Sequence, residues 1–161
     1  MGDYGFMNES VIKVEKTTIG IASDHAGYFL KCRIIDYFRK NNIDFKDFGA
    51  YNDESSDYPE YAHLLATAVL SGECRLGISI CGTGNGINMT VNKHQGIRSA
   101  LCWNEEIARL ARAHNDANIC ALPGRYISEP EAILMVRTFL STEFEGGRHL
   151  RRILKIPLKS N

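Results

Sequence analysis

At 161 residues the chain has the length of one domain able to bury a substantial core. Its 19 basic and 19 acidic side chains cancel, which removes the electrostatic footprint expected of a nucleic-acid or anionic-membrane binder. A 44% hydrophobic, 24% charged composition with no apolar run near the length of a membrane span is that of a soluble globular protein.

The five cysteines (32, 74, 81, 102 and 120) are odd in number and lack a C-x-x-C pair, so they read as reduced thiols of a cytoplasmic protein. Histidines 25, 63, 94, 114 and 149 show no H-x-x-x-H spacing, which gives zinc no support. Residues 1–16 lack the apolar block of a secretion signal and are expected to form a loosely ordered extension before a single domain at 17–161.

In chain order, Thr18–Ser23 reads as a strand, and Leu30, Ile34, Ile35 and Phe38 then recur at helical spacing. Ile43–Phe48 is a weaker strand. A polar loop leads to Pro59 in a first helical turn, and Tyr61, Leu64, Leu65, Ala68 and Val69 are expected on that helix's buried face. Leu76–Cys81 is a third strand, followed by a glycine loop and a short helix running to Lys93. Ile97–Cys102 is a fourth strand, after which Asn104 caps a helix with two glutamates in its first turn. Asn118–Leu122 is a fifth strand. Ser128 and Glu131 form a capping box for a helix to about Leu140, and the basic tail GGRHLRRILK makes a last helix. Alternating strands and helices with short connections predict an α/β fold: a doubly wound, Rossmann-like, five-stranded parallel sheet with helices on both faces.

The stretch ISICGTGNG (78–86) joins the third strand to three glycines. Ile87 stands where a dinucleotide fingerprint needs its third glycine and where a cysteine-phosphatase loop needs its arginine, and no Gly-Lys-Ser/Thr follows for a P-loop. Two readings stay open on the motif alone: a buried strand-end cysteine with a tight glycine turn, or a thiol facing an oxyanion-binding loop. Location favours the second. Cys81 ends strand three and Asp24-His25 follow strand one, the two strands that commonly flank the ligand-binding switch point of an open parallel sheet. A thiol near a helix N-terminus also has reason for a lowered pKa. Thiolate, carboxylate, imidazole and loop amides together suit removal of a proton from carbon beside a carbonyl.

The motifs SDHAG (23–27), DYPEYA (57–62), ICGTGNG (80–86), HNDAN (114–118) and EGGRHLRR (145–152) resemble, in order, those of the B-type ribose-5-phosphate isomerases, a family that includes allose and galactose 6-phosphate isomerases. The resemblance runs from Thr17 to Lys155. It implies isomerisation of ribose 5-phosphate to ribulose 5-phosphate, a step of the pentose phosphate pathway, through a cis-enediolate with neither metal nor organic cofactor. By the same resemblance Cys81 is the base, Thr83 supports it, and the backbone of Gly82, Gly84, Asn85 and Gly86 holds the enediolate oxygen. Relatives lacking the cysteine carry a glutamate five or six residues later, and here Ile87 stands in that region. His114 and Asp24 would open the furanose, Tyr58 and Asn115 line the sugar, and His25, Arg125, Arg148 and Arg152 take the phosphate.

Each role has a plainer competitor. Tyr58 packs beside Pro59, His114 complements a helix C-terminus, Asp24 and His25 cap a helix, and Arg148, Arg151 and Arg152 form a solvated face. Arg151 keeps that plain reading. A non-catalytic sugar-phosphate-binding module is a second hypothesis, but it leaves an exposed thiol unexplained. A response-regulator-like interaction protein needs an acidic cluster after strand one and a lysine after strand five, where only Asp24 and Arg125 stand. Within the isomerases, the alternative is a six-carbon sugar phosphate as substrate. The position of His114, about 15 Å of helix rise from the edge holding Cys81, predicts a homodimer or a tetramer whose subunits share sites.

Overall fold

The computed structural model describes residues 17–159, so the expected extension at 1–16 lies outside the described residues. Five strands, β1 (Ile19–Ser23), β2 (Phe45–Asp47), β3 (Leu76–Cys81), β4 (Ser99–Leu101) and β5 (Ile119–Pro123), form one parallel sheet in the order β2-β1-β3-β5-β4. The chain winds outward from β1 to β2, then returns to place β3 on the other side. The β1–β3 junction is therefore the switch point, between the two strands that commonly flank it in sheets of this kind.

Period-two alternation sends side chains to both faces. On one face Ile19, Ile21, Ile78, Ile80, Cys120 and Leu122 are buried with Ile34 and Phe38 of α1 (Tyr28–Lys40) and Met135, Val136 and Phe139 of α5 (Glu129–Ser141). α4 (Glu105–Asn115) joins the same layer through Ala108 and Ala111. On the other face Ala22, Cys81, Ile119 and Ala121 pack against α2 (Tyr58–Leu70) and α3 (Asn85–Val91). Gly20 and Gly77 make that second layer close: a Cβ on Gly20 would stand 2.5 Å from Leu65 Cδ1, and one on Gly77 3.1 Å from it. No described helix is long and apolar enough to cross a membrane.

Two expectations need correction. Leu64 is 54% exposed, and the buried stripe of α2 is Ala62, Leu65, Ala66 and Ala68. Leu65 fills the space that Gly20 and Gly77 leave on the sheet, and its neighbour Leu64, one position further around the helix, takes the outer face. The fourth strand is also shorter than its apolar run, because the Ile97 N–H is tied into a turn on the His94 carbonyl (3.0 Å). Six residues, Arg148–Ile153, form the last helix, α6, which packs on α4.

Candidate active site

Backbone bonds at the carboxyl edge of the sheet gather three segments around Cys81. The Asp24 N–H donates to the Ile80 carbonyl (3.2 Å), that of Gly124 to the Cys81 carbonyl (2.9 Å) and that of Arg125 to the Gly82 carbonyl (3.0 Å). Asp24 is 6% exposed, and its carboxylate accepts from the Gly27 N–H at 3.1 Å, which makes it the cap of a single 3-10 turn, His25–Gly27. The close approach there needs glycine, since a Cβ on Gly27 would sit 2.7 Å from the Ile80 carbonyl oxygen. Arg125 lies over the loop, with its Nη1 3.4 Å from where a Gly82 Cβ would stand.

The thiol itself departs from expectation. Cys81 is buried, at 4% exposure, among Ala22, Ile87 and Ala121 rather than exposed at the loop mouth. Its place in the alternation of β3 turns it to the α2–α3 layer. The loop beyond it is open: Thr83 is exposed, and its Oγ1 accepts from the Asn85 N–H (3.2 Å), which shapes the turn into α3. Gly84 has φ +76°, and a Cβ there would meet Leu101 Cδ1 at 2.5 Å and the Leu122 backbone at 3.0 Å. Gly86 lies under the Tyr58 ring, whose nearest atom is 2.5 Å from a Cβ built on it. Tyr58, 37% exposed, thus packs on the glycine loop and extends it as a wall.

Sequence reasoning missed the anchors of this crevice. Ser56, in the polar loop, accepts from the His25 N–H through its Oγ (3.2 Å), and its backbone N–H and carbonyl each lie 3.2 Å from His25 Nδ1. The fully buried Lys31 donates to Asp47 Oδ1 (2.6 Å) and to the Ala50 carbonyl (2.5 Å), fastening the start of the same loop. Helical period alone marks Lys31 as one more core-facing position, and nothing in the spacing marks Ser56.

The remaining site residues lie elsewhere. His114 and Asn115 end α4, at the amino edge of the sheet where the Asn115 carbonyl accepts from Arg98 Nε (3.0 Å). Arg148 and Arg152 stand on α6, beside them. Within one chain, Asp24, His25, Tyr58, Cys81, the 82–86 loop and Arg125 come together, and His114, Asn115, Arg148 and Arg152 form a second group. Near that second group, a hollow open to solvent is lined by Ile97, Ile153, Ile156 and Leu158 together with polar Lys93, His94 and Arg98.

The family model for Ribose/Galactose Isomerase matches residues 19–156. The chain belongs to this family. Among ribose/galactose isomerases of known structure, the Thermotoga maritima ribose 5-phosphate isomerase superposes with a TM-score of 0.86 at 50% identity, covering 87% of this chain and 97% of that one. The Mycoplasma genitalium ribose-5-phosphate isomerase B, with ribulose 5-phosphate bound, superposes at 0.82 with 44% identity, covering 86% and 93%. Ribose-5-phosphate isomerase B of Escherichia coli is 39% identical over 135 residues, 84% of this chain and 91% of its own length. The doubly wound single-domain fold expected of a ribose/galactose isomerase is therefore the one observed.

Proposed function

We propose that this chain interconverts ribose 5-phosphate and ribulose 5-phosphate through a cis-enediolate, with Cys81 as the base. The observation that carries the reading is the position of Cys81, at the carboxyl end of β3 beside the switch point, between Asp24 and Arg125 and at the root of an open glycine loop. Membership of the family and the ribulose 5-phosphate held by the M. genitalium relative supply the substrate class.

In this reading Cys81 takes the C2 proton of the open-chain aldose and returns it to C1. A proton passes from O2 to O1, which completes the ketose without a metal or organic cofactor. Burial of the thiol among apolar side chains keeps competing water from the carbanionic centre. Amides of the 82–86 loop hold the enediolate oxygen, Thr83 supports the base and Tyr58 walls the sugar. His25 and Arg125 meet the phosphate from the same chain, and Arg148 and Arg152 meet it from a partner.

His114 and Asp24 open the furanose. Because His114 and Asn115 stand at the opposite edge of the sheet, the second group of residues belongs to the crevice of a second copy, and the functional unit is a homodimer or a tetramer of shared sites. The exposed Leu154, Ile156 and Leu158 beside that group supply an apolar surface for such a contact.

Purified protein assayed against ribose 5-phosphate, allose 6-phosphate and galactose 6-phosphate tests the proposal. The expected kcat/KM is highest for the five-carbon substrate. A preference for either six-carbon substrate replaces it with the alternative isomerase, and binding without turnover of any of them replaces it with a sugar-phosphate-binding module.

A further inference from the structure

His114 does not stand alone at the end of α4. The segment after α5 returns to it: the Glu145 N–H donates to the Ala113 carbonyl (3.0 Å), next to His114 in the chain. Gly146 and Gly147 then turn with φ of +66° and +55°, in open space, and drop His149 onto His114. The two imidazoles stack with centroids 4.1 Å apart and planes 12° from parallel. Glu145 Oε2 lies 3.7 Å from His114 Nε2 and 3.6 Å from His149 Nε2, so one carboxylate oxygen serves both rings. The His149 side chain is 10% exposed and that of His114 35%, so the stack covers the first ring and leaves the second accessible.

We propose that His149 and Glu145 are positioning residues for His114, the stack fixing the plane of its ring and the shared carboxylate fixing its rotation within that plane. The inference rests on His114 opening the furanose. Ring opening needs one proton taken from the C1 hydroxyl and one delivered to the ring oxygen as the C1–O bond breaks. The Asp24 carboxylate accepts the first, the His114 imidazolium delivers the second, and exchange with solvent restores both groups. His149 does not compete for that proton: burial, then the charges of His114, Arg148 and Arg152, push its pKa down against the opposing pull of Glu145. It serves as an uncharged flat surface. An imidazole fixed in plane by packing and a carboxylate keeps its proton aimed, and small misplacements of such groups cost rate.

The test uses full-length His114→Ala, His149→Ala, His149→Phe and Glu145→Gln proteins with two readouts. Turnover of ribose 5-phosphate includes ring opening, whereas solvent-deuterium uptake by open-chain ribulose 5-phosphate does not. His114→Ala is expected to lower the first by on the order of 100-fold and to spare the second. His149→Ala and Glu145→Gln should each lower kcat for ribose 5-phosphate about tenfold, with deuterium uptake nearly unchanged. The flat ring of His149→Phe should restore most of the loss.

If His114→Ala slows ribose 5-phosphate turnover while His149→Ala does not, the positioning role is overturned and the ring-opening reading stands. If His114→Ala lowers both readouts equally, or neither, ring opening by His114 is wrong and the positioning role falls with it. A folded His149→Phe protein as slow as His149→Ala overturns the stacking argument. A raised KM for both substrates in His149→Ala means that this ring touches substrate, and overturns it too.

Discussion

Cys81 carries the sharpest claim made by any single side chain. Cysteine and alanine differ by one heavy atom, and the site lies among small residues such as Ala22 and Ala121, so Cys81→Ala should fold and bind substrate almost normally. Turnover should fall by about 10²–10⁴-fold or more, as for loss of a positioned base. Kinetics with ribose 5-phosphate and a thermal melt check both halves, and near-normal turnover would pass the base role to Asp24. The residues around Cys81 were legible in the sequence because strand ends and glycine turns are local: Asp24, His25 and the 82–86 loop follow from where β1 and β3 stop. Burial of the thiol was not legible, since the motif places Cys81 at a strand end but does not say which layer its side chain enters. Ser56 and Lys31 were missed for a related reason. Each acts on a residue at least 16 positions away, and no spacing rule reaches across that gap.

Among the elements, α6 depends most on its neighbours. A helix of six residues has no stability of its own in water, so Arg148–Ile153 is held by the buried Ile153 and by His149 lying on α4. That attachment titrates. The pKa of His149 is depressed in the folded chain, chiefly by burial and next by His114, so the folded state resists a proton that the unfolded chain accepts. Above roughly pH 6.5, the value of a free histidine, both states are neutral and the group contributes nothing to pH dependence. Below it the unfolded state binds more protons, and stability declines as pH falls toward the lower folded-state pKa. Thermal melts from pH 7.5 to 5 should therefore drop less steeply for His149→Phe than for the parent chain. Equal slopes would show that the His149 proton is not linked to folding. The helix itself was readable as the basic tail, and the capping box of Ser128 and Glu131 is present as expected. The stripe of α2 was not, because its alanines carry little hydrophobic signal and nothing in the spacing shows that Leu65, rather than Leu64, fills the space over Gly20 and Gly77.

For the whole molecule, the order β2-β1-β3-β5-β4 follows from short connections and uniform crossover hand only in part, and side-chain patterning fixes neither edge. What the sequence did carry is direction. A helix capped at Asn104 and ending at Asn115 must run from the carboxyl edge of β4 back to the amino edge of β5, which sets His114 apart from Cys81. The structure keeps that separation, and a shared site is the simplest way to use both residues in one reaction. In a two-fold dimer each crevice would combine Cys81 of one copy with His114 of the other. Cys81→Ala and His114→Ala homodimers should each be nearly inactive toward ribose 5-phosphate. Unfolded, mixed equally and refolded, they should form hybrids in which one crevice carries both defects and the other neither. Random pairing makes about half of the dimers hybrid, so about a quarter of the parent activity should return. Carrying a charge tag on one variant lets ion exchange isolate the hybrid, whose activity should be about half that of the parent. An isolated hybrid with no activity would mean that His114 serves its own chain or takes no part in the reaction.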